Sequence, residues 1–254
     1  MWVPFLPEPD QAKNFAWLLL FVFFPGLICG QSELPEWLDG NFTLELQHFP
    51  GDAQDPRQEN QNASIKLEFD FDNEWAGELR KVLYFSPFYR IDRSDKERTH
   101  FDLREFNLLT VGDSWDLRVG ISKVFWGATE FVHWVDVINQ TDFVENIDGE
   151  EKLGQPMVQF SIDREEGKFE LYYLPYFRER TFPGVEGRPR IIPHVDPDQA
   201  KFENADAEQH PDFALRWSES FDDADVGLSH FYGTTREPTY LEGFDNGEPV
   251  LIPY

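Results

Sequence analysis

Cysteine, methionine and positive charge are all scarce in this chain of 254 residues. Its one cysteine, Cys29, lies in an apolar N-terminal segment, so the rest of the chain has neither a disulfide framework nor a cysteine metal site. Lysine and arginine number 22 against 48 aspartates and glutamates, a net charge of −26. That balance argues against nucleic acid or an anionic membrane surface as a partner. Beyond residue 30 no stretch approaches the ~20 apolar residues that a membrane helix needs, so any passage through a bilayer falls to strands. Catalytic signatures are missing as well: there is no H-E-x-x-H and no G-x-S-x-G. The six histidines (His48, His100, His133, His194, His210 and His230) are scattered. Ser229 and His230 are neighbours in a strand pattern and so point to opposite faces, a poor arrangement for a nucleophile and its base.

Aromatic residues, by contrast, make up 16% of the chain, with 25 Phe, 8 Trp and 8 Tyr. This is too many for a disordered acidic polymer, and it suits a β core or rings gathered at a membrane interface. The apolar N-terminal segment runs to about Gly30, with Lys13 as its only cation and Phe15–Phe24 as its core, followed by Pro25-Gly26. It has the form of a secretory signal peptide over residues 1–30, with Gln31 as the first mature residue. A lipoprotein signal ending at Cys29 is the rival reading, weakened by Ile28 where a small residue belongs.

The remaining residues, 31–254, fall into about nine stretches of alternating apolar and polar residues, at 41–49, 63–74, 79–92, 100–110, 115–126, 156–164, 168–178, 211–220 and 224–233. The links between them alternate in length. Short ones lie near 75–78, 111–114, 164–167 and 221–224; long ones lie near 50–62, 92–99, 127–155, 179–210 and from 234 onward. Strand side chains alternate between faces. Ile65, Leu67, Phe69 and Phe71 therefore share one face and Lys66, Glu68 and Asp70 the other, while Leu117, Val119 and Ile121 oppose Asp116, Arg118 and Ser122. In a soluble sheet the apolar face would be core. In an outer-membrane barrel it would meet lipid, with the charged face lining a watery lumen.

Three features favour the barrel. The strands reach about 9–13 residues, longer than the ~5–6 usual in soluble sheets. Rings collect near strand ends, at Trp75, Phe85, Phe88, Tyr89, Trp115, Phe125, Trp126, Tyr176, Phe177, Trp217, Phe231 and Tyr232, as in the aromatic girdles of barrels. Finally, the sorting of loops by length matches tight turns at one rim and long loops at the other. The expected fold is all-β, an antiparallel transmembrane β-barrel of outer-membrane type. About nine strands is an odd count, and Pro253 is awkward in a closing strand. The sequence is therefore expected to be the N-terminal portion of a longer barrel.

The stretch from Arg118 to Gly184 resembles a group of largely uncharacterised proteobacterial outer-membrane β-barrel proteins of porin type. In these a strand ending in G-x-x-x-x-x-W-G leads to a D-x-I-N-x-x-D loop, matched here by Gly120, Trp126, Gly127, Asp136, Ile138, Asn139 and Asp142. Leu228–Pro238 (LSHFYGTTREP) also fits. The resemblance implies fold and location, and brings no catalytic residues.

The 127–155 loop is the most distinctive. Thr129–Val137 is too apolar for a freely solvated loop, and is expected either to form a short helix folded into the lumen or to pack on the rim as a lid. Asp136, Asn139 and Asp142 there are candidate cation ligands or ordinary turn formers. Arg178, Arg180, Arg188 and Arg190 stand out against the net charge. They are candidates for selecting an anionic solute, or else pair with acids such as Glu179 and Glu186. Lys66, Arg104, Arg118 and Arg216 fall on polar faces opposite Glu68, Asp70, Asp102 and Asp116, as candidate lumen residues or lumen ion pairs. The acidic segments 146–151 and 196–208 lack the spacing of a Ca²⁺ hand, and read best as solvated loops, with divalent bridging to lipopolysaccharide as a weaker option.

The expected function is passive diffusion of small hydrophilic solutes through a charged lumen in the outer membrane. Lipid and lipopolysaccharide are the expected surroundings. No cofactor and no enzymatic activity are implied, and the oligomeric state stays open. An exported β-sandwich binding module and an outer-membrane hydrolase are the alternatives.

Overall fold

The computed structural model describes residues 18–21, 38–126, 135–222 and 224–254. Most of the expected leader, with Cys29 and the cleavage position, and most of the expected 129–137 helix lie outside them.

The alternating stretches form a continuous antiparallel meander: β2 (Leu38–His48), β3 (Gln61–Trp75), β4 (Arg80–Asp92), β5 (His100–Val111), β6 (Trp115–Ser122), β7 (Gln155–Arg164), β8 (Gly167–Leu174), β9 (Asp212–Phe221) and β10 (Ala224–Tyr232). A short β1 (Leu18–Phe21), within the expected leader, pairs with Glu45–His48 at the β2 edge. Each strand bonds only to its sequence neighbours. From β2 to β10 all four short turns therefore lie at one end of the sheet, and the long connections at the other.

Two strands end earlier than their sequence pattern suggests. β6 stops at Ser122 because the amides of Val124 and Trp126 are taken by the side chains of Asn139 and Asp136, at 2.8 and 2.7 Å. β8 stops at Leu174 because Pro175 has no N–H to continue the ladder. The chain after β10 adds a second sheet, the hairpin β11 (Tyr240–Asp245) and β12 (Glu248–Pro253). Its Asn246-Gly247 turn has both residues at positive φ, the geometry that favours this dipeptide. Leu251 and Ile252 thus pair with Glu242 and Leu241, and do not extend the main sheet beyond β10.

The expected barrel is not closed. Among the described residues no ladder joins β10 to β1 or β2, and the sheet is open at both edges.

The two faces are segregated along the whole meander. In the aligned ladders, Leu67, Tyr89 and Phe101 share one face, as do Leu108, Val119 and Val158, then Leu171 and Leu215. Many of these side chains are exposed: Phe42 is 60% exposed, Phe101 61%, Leu171 53% and Leu228 66%. The opposite face carries Glu45, Ser64, Arg90, Asp102, Asn107, Ser161, Glu170 and Asp212, all buried. On the apolar face rings gather at both ends: Trp75, Trp115, Phe169 and Phe221 near the short turns, and Phe101, Tyr173, Phe213 and Tyr232 near the long connections. Phe88, Trp126 and Phe177 do not join them. They are buried among the polar groups, with the Arg104 guanidinium 4.3 Å from the Phe88 ring centre and Trp126 Nε1 donating to the Tyr172 hydroxyl.

Candidate functional site

The polar face is covered by the connection between β6 and β7. Its described part, 135–154, packs onto the sheet, with Ile138, Asn139, Gln140, Thr141, Asp142 and Leu153 all buried. Arg90, near the end of β4, reaches it with a two-pronged pair to Glu145 at 2.6 and 2.7 Å, and also meets Glu45 at 3.0 Å. Arg98 bonds to Asp92 and Glu45 and to the carbonyls of Val144 and Glu145. Arg104 bridges Asp102 at 3.1 Å and Asp142 at 2.6 Å. A register shift creates this bridge: Ser86 pairs with Glu105 but Pro87 with Leu103, leaving Arg104 as the extra residue of a bulge. Gly154 permits close approach there, since a Cβ would run into the carbonyls of Leu103 and Arg104.

The other residues expected at the site divide into several groups. Lys66 and Glu68 form an inward ion pair at 2.8 Å. Asp116 and Arg118 lie on the polar face of β6, and Arg118 Nε is buried without a hydrogen-bond partner. Arg216 lies against Trp126, with its guanidinium 5.7 Å from the ring centre and a 3.4 Å bond to the Trp126 carbonyl. Asp136, Asn139 and Asp142 do not converge. Asp136 accepts from the Trp126 amide, and Asn139 donates to the carbonyls of Ser122 and Leu153. Asp142 accepts from Arg104 and from Thr181 Oγ1, and lies 3.6 Å from His100 Nε2. They tie the connection to the sheet, and no group of three metal-binding side chains is found among the described residues. Burial works to raise the Asp142 carboxyl, but His100, Arg104 and Thr181 outweigh it and hold it down at about 2.

The four arginines of the β8–β9 connection do not form one cluster. Arg178 pairs with Asp102 at 3.0 Å and donates to the Gly154 carbonyl. Arg180 meets Glu237, Gln140 and the Arg236 carbonyl. Arg188 donates to Asn60 and to the Gly51 and Asp52 carbonyls, and Arg190 pairs with Asp55. Their partners are thus neither Glu179 nor Glu186. They join the β8–β9 connection to the sheet, to the β2–β3 loop and to the segment after β10.

Sequence reading overlooked Arg90, Glu145 and the Arg236–Asp212 pair at 2.7 Å. The alternation of Tyr89, Arg90 and Ile91 did carry a signal for Arg90, a cation on the polar face. Cavities flank the inserted connection. One of about 630 Å³ lies beside Glu45, Lys66, Arg90 and Glu145. Another of about 800 Å³ lies between the β8–β9 connection and the segment after β10. Comparison with protein-family models, curated proteins and solved structures finds no match to this chain.

Proposed function

We propose that the nine long strands form the wall of an outer-membrane channel, with residues 135–154 as its inward-folded constriction. Small hydrophilic solutes diffuse past it. The observation that carries this reading is the reversal of the two faces: the charged face is buried where the 135–154 connection covers it, with Asp70, Asp72, Glu74 and Asp225 toward the short turns left open, and the apolar face is exposed. A soluble sheet with one covered face buries its apolar side; a sheet facing hydrocarbon does the opposite. The exposed rings at both strand ends and the sorting of loops by length support the same conclusion.

The β-sandwich alternative would need a second sheet over the apolar face. Among the described residues the only other sheet is β11–β12, which bridges to the β8–β9 connection through Val195 and Leu251. A hydrolase centred on Ser229 and His230 is disfavoured by their register, Ser229 beside Arg216 and His230 beside Leu215 on opposite faces.

Lipid and lipopolysaccharide would surround the sheet, and selectivity would come from pore width and the paired charges beside the connection. Liposome swelling tests the channel. Vesicles containing the protein and loaded with an impermeant polymer should swell in isotonic solutions of small sugars, faster for the smaller sugar. Vesicles that stay no leakier than protein-free controls would remove diffusion as the function.

A further inference from the structure

We infer that the cavity beside Arg180 binds small organic carboxylates with an apolar body, aromatic acids foremost. The inference names a solute class for the proposed channel and in that sense rests on it. The cavity has a volume of about 800 Å³ and is lined by Phe177, Phe182, Phe202 and Phe231 together with Gln140 and Arg180. Such walls accept an apolar ring, and a guanidinium among them offers a planar fork for a carboxylate.

Arg180 differs from the other strongly buried arginines in its counterion. The partners of Arg90, Arg104 and Arg236 are buried carboxylates: Glu145, Asp142 and Asp212 are 4%, 0% and 1% exposed. The Arg180 side chain is just as buried, at 7%, but its carboxylate comes from Glu237, which is 79% exposed. A carboxylate reaching in from water is readily exchanged, because it loses little on returning to solvent. When it leaves, Gln140 Oε1 at 3.2 Å and the Arg236 carbonyl at 2.8 Å still hold the guanidinium in place. Glu237 thus occupies the position of a ligand carboxylate as an internal competitor.

The rest of the lining is close to balanced in charge, so recognition of an anion rests on Arg180. Arg236 lies 5.0 and 5.1 Å from the ring centres of Phe177 and Phe231, and its NH2 group is buried without a hydrogen-bond partner. Its charge is matched by buried Asp212 at 2.7 Å, so it builds two of the aromatic walls without adding net charge. Lys201 adds a further cation to the lining, opposed by Glu203 and Glu179. Burial and hydrogen-bonded Glu208 push the Glu179 carboxyl up, which weakens its opposition to an anion at mildly acid pH.

Calorimetric titration of the full chain in detergent at pH 6, with benzoate as the probe and benzamide as its neutral counterpart, tests the inference. Benzoate should bind and benzamide should not. Glu237→Gln removes the competitor and should tighten benzoate binding by about threefold or more, whereas Arg180→Gln should weaken it by about tenfold. A gain from a surface substitution cannot come from misfolding. Absence of benzoate binding, equal binding of benzamide, or unchanged or weakened binding in Glu237→Gln would overturn the inference. Swelling is a separate readout: benzoate binding without swelling sinks the channel and keeps the site, and swelling without benzoate binding does the reverse.

Discussion

Asp142 shows how one side chain can fasten a connection to a sheet. It is fully buried, ionised, and shared between Arg104 of the β5 bulge and Thr181 of the next long connection, with His100 close by. Removing one partner of a buried pair leaves an uncompensated charge, so Asp142→Ala should lower the unfolding free energy by about 3 kcal/mol, measured by urea denaturation. The carboxyl also sets an acid limit. Its value in the fold, about 2, is depressed from an ordinary 3.8, so its contribution to stability is complete above pH 3.8 and is lost as the pH falls toward 2. Stability should therefore drop across that window, and Asp142→Asn should flatten that part of the profile, read as midpoint against pH. An equally steep acid limb in the Asn variant would assign the loss to other carboxylates.

At the scale of the strand, period-two alternation decides which side meets which solvent. In β6, Leu117 and Val119 lie on the apolar face with Phe160 and Val158, while Arg118 between them lies on the polar face beside Gln159. Arginine at the bilayer midplane costs about 2–4 kcal/mol on a lipid-facing position. Leu117→Arg and Val119→Arg should therefore each reduce insertion into vesicles, measured by flotation with lipid, and Arg118→Leu should be much milder. The opposite ranking would reverse the faces and make the apolar side a soluble core. This much was legible in the sequence, because face parity is a local property: Ile65 through Phe71 and Leu117 through Ile121 declare it within a few residues. The long-range partners were not legible. Arg178 pairs with Asp102 and not with its neighbour Glu179, and Arg90 pairs with Glu145 across 55 positions. The bulge at Arg104 did leave a local mark, since apolar parity switches from Phe101 and Leu103 to Phe106 and Leu108, but nothing local named the partners Arg104 would meet. The β11–β12 hairpin did carry a local signal, Asn246-Gly247 between short apolar runs, in strands too short to stand out by alternation.

For the whole molecule the feature that bears most on function is its open edges. The main sheet ends at β10, whose residues Ala224–Tyr232 are nearly all exposed and bond on one side only, to β9. In water such an edge is tolerable, since solvent satisfies the free N–H and C=O groups. In hydrocarbon each unsatisfied group costs several kcal/mol, so spanning sheets leave no edge open. The outward row on β10, Val226, Leu228, His230 and Tyr232, continues the apolar face and keeps this edge at the same depth as its neighbours. The channel reading therefore requires that β10 gain a strand partner on entering a bilayer, and the amides of its free side report on this directly. Hydrogen exchange measured by mass spectrometry should be fast across 224–232 in aqueous solution and slow after reconstitution, while β5 at the centre of the sheet is protected in both. Exchange at β10 that stays fast in lipid, with β5 protected, would mean that the edge remains in water. The sheet would then lie at the membrane surface or outside it, and the exposed apolar face would need a protein partner to cover it.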